Sequence, residues 1–257
     1  MTWFFVTLGA VLILFVVILA HLYTSTKAEM KARLQAQKHQ LTNNIAHEIR
    51  TPVASIRGYL ETLVESPDMD EEHKQLFIER AYSQTLRLSE LIRDISLITK
   101  MEQEPSGLPK EYFGVHKVIE DLEQEFRDRL HSLNITLINK VEEDVSVKAN
   151  QALFTAIFRN LIENSMKYAG RDFSICISCT ESGESKTSFC YYDTGSGIDE
   201  KELPRIFERF YRVKGTNASE GSGLGLSIVK NAVEYHGGKI SVKLHKPQGL
   251  EYNFYIR

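Results

Sequence analysis

The chain has 257 residues, 42% of them hydrophobic, and a formal net charge of -3 at pH 7. This length accommodates one or two domains with a sizeable core. The charge has no basic excess, so the composition argues against direct nucleic acid binding.

A run of twenty residues, 3–22, contains no Asp, Glu, Lys or Arg. A helix of that length spans the roughly 30 Å hydrocarbon core of a bilayer, so we predict a transmembrane helix within residues 1–23. A cleaved signal peptide is the alternative, but no basic residue precedes the run. Four basic residues follow it: Lys27, Lys31, Arg33 and Lys38. They predict a single-pass protein whose carboxyl side is cytoplasmic.

Residues 24–104 are predicted to form a helical hairpin that turns at Ser66-Pro67-Asp68. The first helix runs from near Ser25 to about Glu65, and its apolar stripe is Leu41, Ile45, Ile49, Val53, Ile56, Leu60 and Leu63. The second carries a heptad seam of Phe77, Ala81, Gln84, Leu88, Leu91, Ile95 and Ile98. A homodimer making a four-helix bundle would bury both stripes, and a bundle with other helices of the same chain is the alternative.

The apolar stripe leaves His47 on the opposite side of the first helix, on one face with Asn43 and Thr51. We therefore expect an exposed imidazole with a carboxylate, Glu48, beside it. A neutral imidazole is a competent nucleophile when a carboxylate holds the proton of its other nitrogen, although a lone exposed His is usually only solvated. Pro52 either breaks the helix or makes a bendable point one turn from His47.

Residues 105–257 are predicted to form an α+β domain, joined to the hairpin by a hinge over 101–109 that contains Pro105, Gly107 and Pro109. In chain order we expect an extended stretch near Tyr112, a helix over 116–130, strands over 135–139 and 145–148, a helix from the cap Asn150 to about Tyr168, strands over 173–180 and 187–192, a helix ending at His236, and strands over 239–244 and 252–256. This order favours a mixed sheet with helices on one face.

The three cysteines, Cys176, Cys179 and Cys190, fall in these strands. The alternation of a strand turns Cys176 and Cys179 to opposite faces, and no second Cys or His pair follows them. We therefore expect structural thiols in a reducing compartment rather than a zinc or redox site.

Two polar motifs lie in the first half of this domain. Asn160, Asn164 and Lys167 share one helix face, which is either merely solvated or able to hold hydrated Mg²⁺ and phosphate. Asp193-Thr-Gly195-Ser-Gly197 follows a strand. It is either a plain turn or a loop in which a ligand approaches the backbone and the carboxylate binds an amino group.

Two further motifs lie in its second half. The segment 206–212 is aromatic and basic, which fits a packed helix end or a weak anion site. Gly221, Gly223 and Gly225 open a helix, as phosphate sites do. The pattern is neither a P-loop nor a dinucleotide fingerprint, since no Gly-Lys-Ser/Thr follows and position 226 is Leu. Each motif alone is weak, but the four in this order behind the His47 helix are specific.

The segment from His47 to Pro52, His-Glu-Ile-Arg-Thr-Pro, resembles the phosphoacceptor motif of bacterial sensor histidine kinases. The four later motifs resemble the N, G1, F and G2 boxes of their ATP-binding domain, whose α/β-sandwich (Bergerat-type) fold is shared with gyrase and Hsp90. The resemblance covers essentially everything after Ser25 and favours Pro52 as a bendable point. It implies a homodimeric protein-histidine kinase in the inner (cytoplasmic) membrane. The commonest layout has two spans around an external sensor, so this chain either senses through its span or a partner or is a fragment of a longer receptor.

The resemblance implies ATP and Mg²⁺ as cofactors, with Asn164 as the metal ligand. The nucleotide site would comprise Asn160, Asn164, Lys167, Tyr168, Asp193, Gly195, Gly197, Ile198, Arg209, Arg212, Gly221, Ser222, Gly223, Leu224, Gly225 and Leu226. Asp193 would bind the adenine amino group, Lys167 would meet phosphate, and residues 212–220 would form a lid.

By the same resemblance, His47 would accept the γ-phosphoryl group, which then passes to an aspartate of a separate response regulator. Glu48 would orient or deprotonate the imidazole, and Thr51 would position water when the protein dephosphorylates the regulator. Two alternatives use the same domain: an ATPase of the gyrase or Hsp90 type, and a dimerisation module that binds nucleotide only structurally. The ATPases carry a Glu base where this chain has Asn160, and an amide cannot act as that base.

Overall fold

The computed structural model describes residues 2–103, 107–183, 185–213 and 221–257, and within the first 39 residues it describes side chains only at positions 21, 23–27, 29 and 35. The chain divides into two compact units, Met1–Ala81 and Tyr82–Arg257. This division falls inside the second helix, whereas the predicted domain boundary lies at 104–105, which stays a prediction.

The predicted membrane span, residues 3–22, lies outside the described side chains except for His21. Over the part of the chain that is described, no helix is both long enough and apolar enough to cross a bilayer.

The first helix, α1, runs from Thr2 to Glu65 without interruption. The expected start near Ser25 is therefore wrong. The hydroxyls of Thr24 and Thr26 donate to the carbonyls of His21 and Tyr23 at 2.9 and 3.0 Å, so these polar residues are satisfied within the helix. Helix α1 also continues through Pro52, which rules out a helix break at that residue.

The hairpin turns where the sequence predicts, and the second helix, α2, spans Glu71–Gln103. Asp70 caps it, since its Oδ1 accepts a hydrogen bond from the His73 amide at 3.0 Å. The rings of Tyr59 and Phe77 lie 5.8 Å apart and hold the two helices together near the turn.

Burial along α2 follows the predicted seam, with Ala81, Leu91 and Ile98 buried. A second apolar set on this helix remains exposed: Leu76, Ile78, Tyr82, Leu86 and Ile92. Helix α1 likewise leaves Val53, Leu60 and Val64 exposed.

The second unit contains a five-stranded mixed sheet and a separate two-stranded sheet. In chain order its elements are β1 (Glu111–Gly114), α3 (Val115–Ser132), β2 (Thr136–Asn139), β3 (Ser146–Ala149), α4 (Gln151–Tyr168), β4 (Ser174–Gly183), β5 (Lys186–Asp193), a 3-10 helix (Glu200–Glu202), α5 (Gly225–Tyr235), β6 (Lys239–Leu244) and β7 (Leu250–Ile256). The large sheet has the order β2-β4-β5-β7-β6, in which only the β2–β4 pair is parallel, and β1 pairs with β3. The predicted mixed α/β domain is confirmed.

The core of this unit lies between the large sheet and α4. Phe154 and Phe158 of α4 contact Phe189 of β5 and Phe254 of β7, with ring centroids 5.3 to 5.8 Å apart. Alternate residues of β5 face this core, and the last of them is Asp193. A carboxylate is thereby held at the end of a buried row that also contains Thr187, Phe189 and Tyr191.

The three cysteines are free thiols, and Cys176 is buried in β4 while Cys179 is half-buried. A bulge lies just beyond Cys179.

Candidate functional site

His47 and Thr51 are exposed on α1, as predicted, and Glu48 is half-buried. The Thr51 hydroxyl donates to the His47 carbonyl at 3.3 Å, which fixes it on the His47 face one turn away. These three residues belong to the first unit, and all the predicted nucleotide residues belong to the second.

Helix α4 holds the predicted amide stripe. Asn150 caps it, accepting from the Leu153 amide at 3.1 Å. Asn160 is buried, and its Nδ2 donates to the Ala156 carbonyl at 2.8 Å, while its Oδ1 lies on the side of Gly225. A Cβ placed on Gly225 would lie 2.8 Å from that Oδ1, so only glycine permits this approach.

Asp193 is the most constrained carboxylate of the site, with 2% of its surface exposed. Its Oδ1 accepts from the amides of Gly195 and Leu250 at 3.1 and 3.4 Å, and its Oδ2 accepts from Ser165 Oγ at 2.8 Å. Burial raises the pKa of this carboxyl, and the three hydrogen bonds oppose the rise by stabilising the charged form. The carboxylate is thus held rigidly in a buried position.

The loop after Asp193 packs on the end of α4. Ser196 donates from its amide to the Ala169 carbonyl at 2.9 Å and from its hydroxyl to the Tyr168 carbonyl at 3.2 Å. The first two predicted motifs, distant in sequence, therefore meet.

The glycine-rich loop closes on both neighbouring motifs. Gly221 has φ +118° and approaches the Tyr168 hydroxyl, where a Cβ would lie 2.5 Å away. The Gly223 carbonyl accepts from the Phe210 amide at 2.8 Å. The second unit thereby gathers parts of all four motifs around one end of α4.

Helix α2 supplies acidic partners to three of the predicted nucleotide residues. Lys167 Nζ lies 3.2 Å from Glu90, Arg209 lies 2.9 Å from Glu102, and Ser222 Oγ lies 3.4 Å from Asp94. Burial raises the pKa of Asp94 to about 6. An acidic face of α2 thus contacts residues that the resemblance assigns to phosphate.

The remaining predicted residues have simpler settings. Asn164, Ile198, Arg212 and Leu226 are half-buried, Gly197 adopts a positive φ of 65°, and Leu224 is fully buried directly before α5. The predicted lid over 212–220 lies outside the described residues beyond 213. Within the described ranges, no three His, Cys, Asp or Glu side chains converge as a metal cluster.

Sequence reasoning missed the partners behind Asp193. Ser165 and Tyr191 are buried, and their hydroxyls form a hydrogen-bonded chain to the carboxylate. The alternation of β5 puts Tyr191 on the Asp193 face, which was the one available signal. Leu250 and the acidic residues of α2 carry no comparable signal, since their contacts arise from tertiary packing.

Two family models match the chain, and together they cover more than half of it. Residues 37–104 match the His Kinase A (phospho-acceptor) domain, and residues 149–257 match the Histidine kinase-, DNA gyrase B-, and HSP90-like ATPase. The chain therefore belongs to the histidine kinases, with a phospho-acceptor domain followed by an ATPase domain.

Curated relatives are sensor proteins. The chain is 31% identical over 220 residues to the sensor protein VanS of Enterococcus faecium, covering 84% of this chain and 57% of VanS. It is 29% identical to the sensor protein SphS of Synechococcus elongatus, covering 84% of this chain and 54% of SphS. The chain thus spans about half the length of these relatives.

Solved histidine kinases share the fold. The Acinetobacter baumannii histidine kinase AdeS superposes with a TM-score of 0.66 at 22% identity, over 82% of this chain and 96% of that one. The catalytic domain of histidine kinase ThkA superposes with a TM-score of 0.52 at 26% identity, over 58% of this chain and 95% of that one.

Proposed function

We propose that this chain is a membrane-anchored sensor histidine kinase of a two-component system, which phosphorylates itself on His47. The observation that carries this proposal is the pairing of an exposed histidine in a phospho-acceptor domain with four nucleotide motifs gathered around α4 in an ATPase domain.

The donor set of the second unit fits Mg-ATP. The buried carboxylate of Asp193 can accept the adenine amino group, and the glycines at 221, 223 and 225 let phosphates approach the amino end of α5. Lys167 supplies a cation for phosphate, and the Asn164 amide oxygen is a hard ligand suited to Mg²⁺. When bound, the nucleotide supplies the γ-phosphoryl group.

In the proposed reaction, a ring nitrogen of His47 forms the new N–P bond while the bond to the β-phosphate oxygen breaks and ADP leaves. Glu48 holds the proton of the other ring nitrogen, so the attacking nitrogen keeps its lone pair. Positioning and charge neutralisation by Lys167 dominate the catalysis, and Mg²⁺ held by Asn164 would supply further positive charge at the phosphates. Asn160 stands where an ATPase would need a carboxylate base, which favours transfer to histidine over hydrolysis.

The partners follow from the same function. The phosphoryl group on His47 passes to an aspartate of a response regulator, a proposal supported by the solved complex of ThkA with the response regulator protein TrrA. Thr51, on the His47 face, positions water when the same protein dephosphorylates the regulator by hydrolysis. Exposed apolar residues of both hairpin helices are covered in a homodimer.

The anchor is the apolar run at 3–22, with the catalytic part on the cytoplasmic side of the inner membrane. It is proposed from the sequence pattern alone.

The test is incubation of the full chain with γ-labelled ATP and Mg²⁺, with the His47→Gln variant alongside. We expect an acid-labile, base-stable label on the wild type and none on the variant, while both bind ATP. Label persisting on the variant would remove His47 as the acceptor. Phosphate released to solution without labelled protein would favour the ATPase alternative, and bound but unaltered ATP would favour the structural one.

A further inference from the structure

A chain of buried hydroxyl groups lies behind Asp193. Ser165 Oγ donates to Asp193 Oδ2 at 2.8 Å, and Tyr191 Oη donates to Ser165 Oγ at 2.9 Å. Tyr191 Oη also lies 3.0 Å from the Leu161 carbonyl. Ser165, Tyr191 and Asp193 are each at most 2% exposed, so water does not compete for these bonds and their geometry is fixed by the protein.

The two oxygens of Asp193 differ in their remaining capacity. Oδ1 already accepts from two backbone amides, those of Gly195 and Leu250, and a carboxylate oxygen has about two lone-pair sites. The described contacts give Oδ2 a single donor, Ser165. One lone pair of Oδ2 is therefore left for a ligand, and Ser165 determines its direction.

We propose that Ser165 and Tyr191 are positioning residues that make the site selective for 6-aminopurines, by holding Asp193 Oδ2 as an oriented hydrogen-bond acceptor. This inference rests on the proposed nucleotide function. A purine with an amino group at position 6 donates to that oxygen. A purine with a 6-oxo group presents an acceptor to an acceptor, which leaves both groups unpaired and costs binding energy.

The charge state of Asp193 supports the same assignment. Burial raises the pKa of this carboxyl, and the hydrogen bond from Ser165 is the largest influence in the opposite direction. Without that donor, the protonated carboxyl becomes more favourable, and a protonated carboxyl can donate to a 6-oxo group. Loss of Ser165 is thus expected to reduce selectivity as well as affinity.

The experiment is a calorimetric titration of the full chain with the Mg²⁺ complexes of ATP and of inosine triphosphate, whose base carries a 6-oxo group. The wild type should prefer ATP. Ser165→Ala should weaken ATP binding about tenfold, as expected for a lost hydrogen bond to a charged group, and inosine triphosphate binding should change less than about twofold.

Two further variants keep this test decisive. Tyr191 is hydrogen-bonded to Asp193 by way of Ser165, so Tyr191→Phe should change the ATP preference in the same direction by about threefold. The control is Thr187→Val, which removes the hydroxyl of another buried residue on the same strand and the same face, four residues from Tyr191. It should leave the ATP preference unchanged.

Equal weakening of both nucleotides by Ser165→Ala, or an unchanged preference in that variant, would overturn the positioning role. So would a wild type that binds the two nucleotides equally well. A wild type that binds neither would instead refute the proposed nucleotide site, and this inference with it.

Discussion

Lys167 is already engaged by a carboxylate of its own chain. Its Nζ lies 3.2 Å from Glu90, and both side chains are only partly exposed. A lysine ammonium group in an ion pair must give up that partner, or share it, before it can bind a phosphate. In the proposed nucleotide site, Glu90 would therefore compete with phosphate for Lys167.

Replacing Glu90 by Gln should tighten Mg-ATP binding by about two- to fivefold, because a partly exposed ion pair contributes about 1 kcal/mol or less. Calorimetric titration measures the change. Glu120→Gln serves as the matched control, since Glu120 pairs with Lys117 on the surface of α3 and should leave the affinity unaltered. Weaker binding by the Glu90 variant would mean that this carboxylate assists Lys167 instead.

A single site residue can be predicted when its chemical type and its spacing from other polar residues both indicate a ligand site. Asn160 and Lys167 were found because they share a helix face, and Asp193 because it ends a strand before two glycines. Glu90 was not, since it is 77 residues from Lys167 and its carboxylate resembles those of any solvated helix. Only tertiary packing brings such a pair together.

Helix α2 buries one carboxyl, that of Asp94, among its described side chains. Asp94 is 9% exposed, and burial raises its pKa to about 6. Arg93 and Lys167 lower this pKa, whereas Glu163 and Glu90 raise it. The folded protein thus binds a proton more tightly at this position than the unfolded chain does. Ionisation of Asp94 therefore lowers the free energy of unfolding, and this loss is fully present above pH 6. The loss disappears as the pH falls from about 6, the pKa in the folded protein, towards 3.8, the ordinary value for an Asp.

The variant Asp94→Asn should therefore be more stable than the wild type at pH 7.5, by at most about 3 kcal/mol. The difference should shrink steadily as the pH is lowered to 4.5. Urea unfolding of the second unit at a series of pH values measures it. A difference that is constant across the series would show that Asp94 is not the titrating group.

At the level of elements, strong local signals were reliable. Helix α4 has a capping Asn150 and runs to Tyr168, as predicted, and β5 was recognised by its alternation. The start of α1 was misplaced because Tyr23 to Thr26 has low helix propensity, and the hydroxyl groups there are satisfied within the helix. The pairing order of the strands could not be read from local patterns, because β5 pairs with β7 across the intervening helix.

Association of two whole chains is expected from the apolar surface of the hairpin. Val53, Ile56, Leu60 and Val64 line one groove on α1, with a volume of about 460 Å³. Leu60 in this groove is 49% exposed. A contiguous apolar surface of this kind is typical of a contact with another protein chain.

The substitution Leu60→Glu should convert the dimer to a monomer, because it places a charge in the proposed apolar interface. Sedimentation velocity measures the association state, and circular dichroism checks that the helices remain. Leu244→Glu provides the comparison, since Leu244 is similarly exposed but lies on β6 of the second unit. A variant at position 60 that stays dimeric would exclude this groove from the interface.

The position of β7 inside the sheet has a consequence for synthesis of the protein. Strand β7 lies between β5 and β6. The amide of its first residue, Leu250, donates a hydrogen bond to Asp193, 57 residues earlier in the chain. On the ribosome, the hairpin emerges long before β7 can insert beside β5. A chain cut short before Leu250 would retain the hairpin and lose β7, the strand that joins β6 to the rest of the sheet. Such a product would still be able to pair with an intact chain through the hairpin. The resulting mixed dimer would contain one chain that lacks the complete proposed nucleotide site.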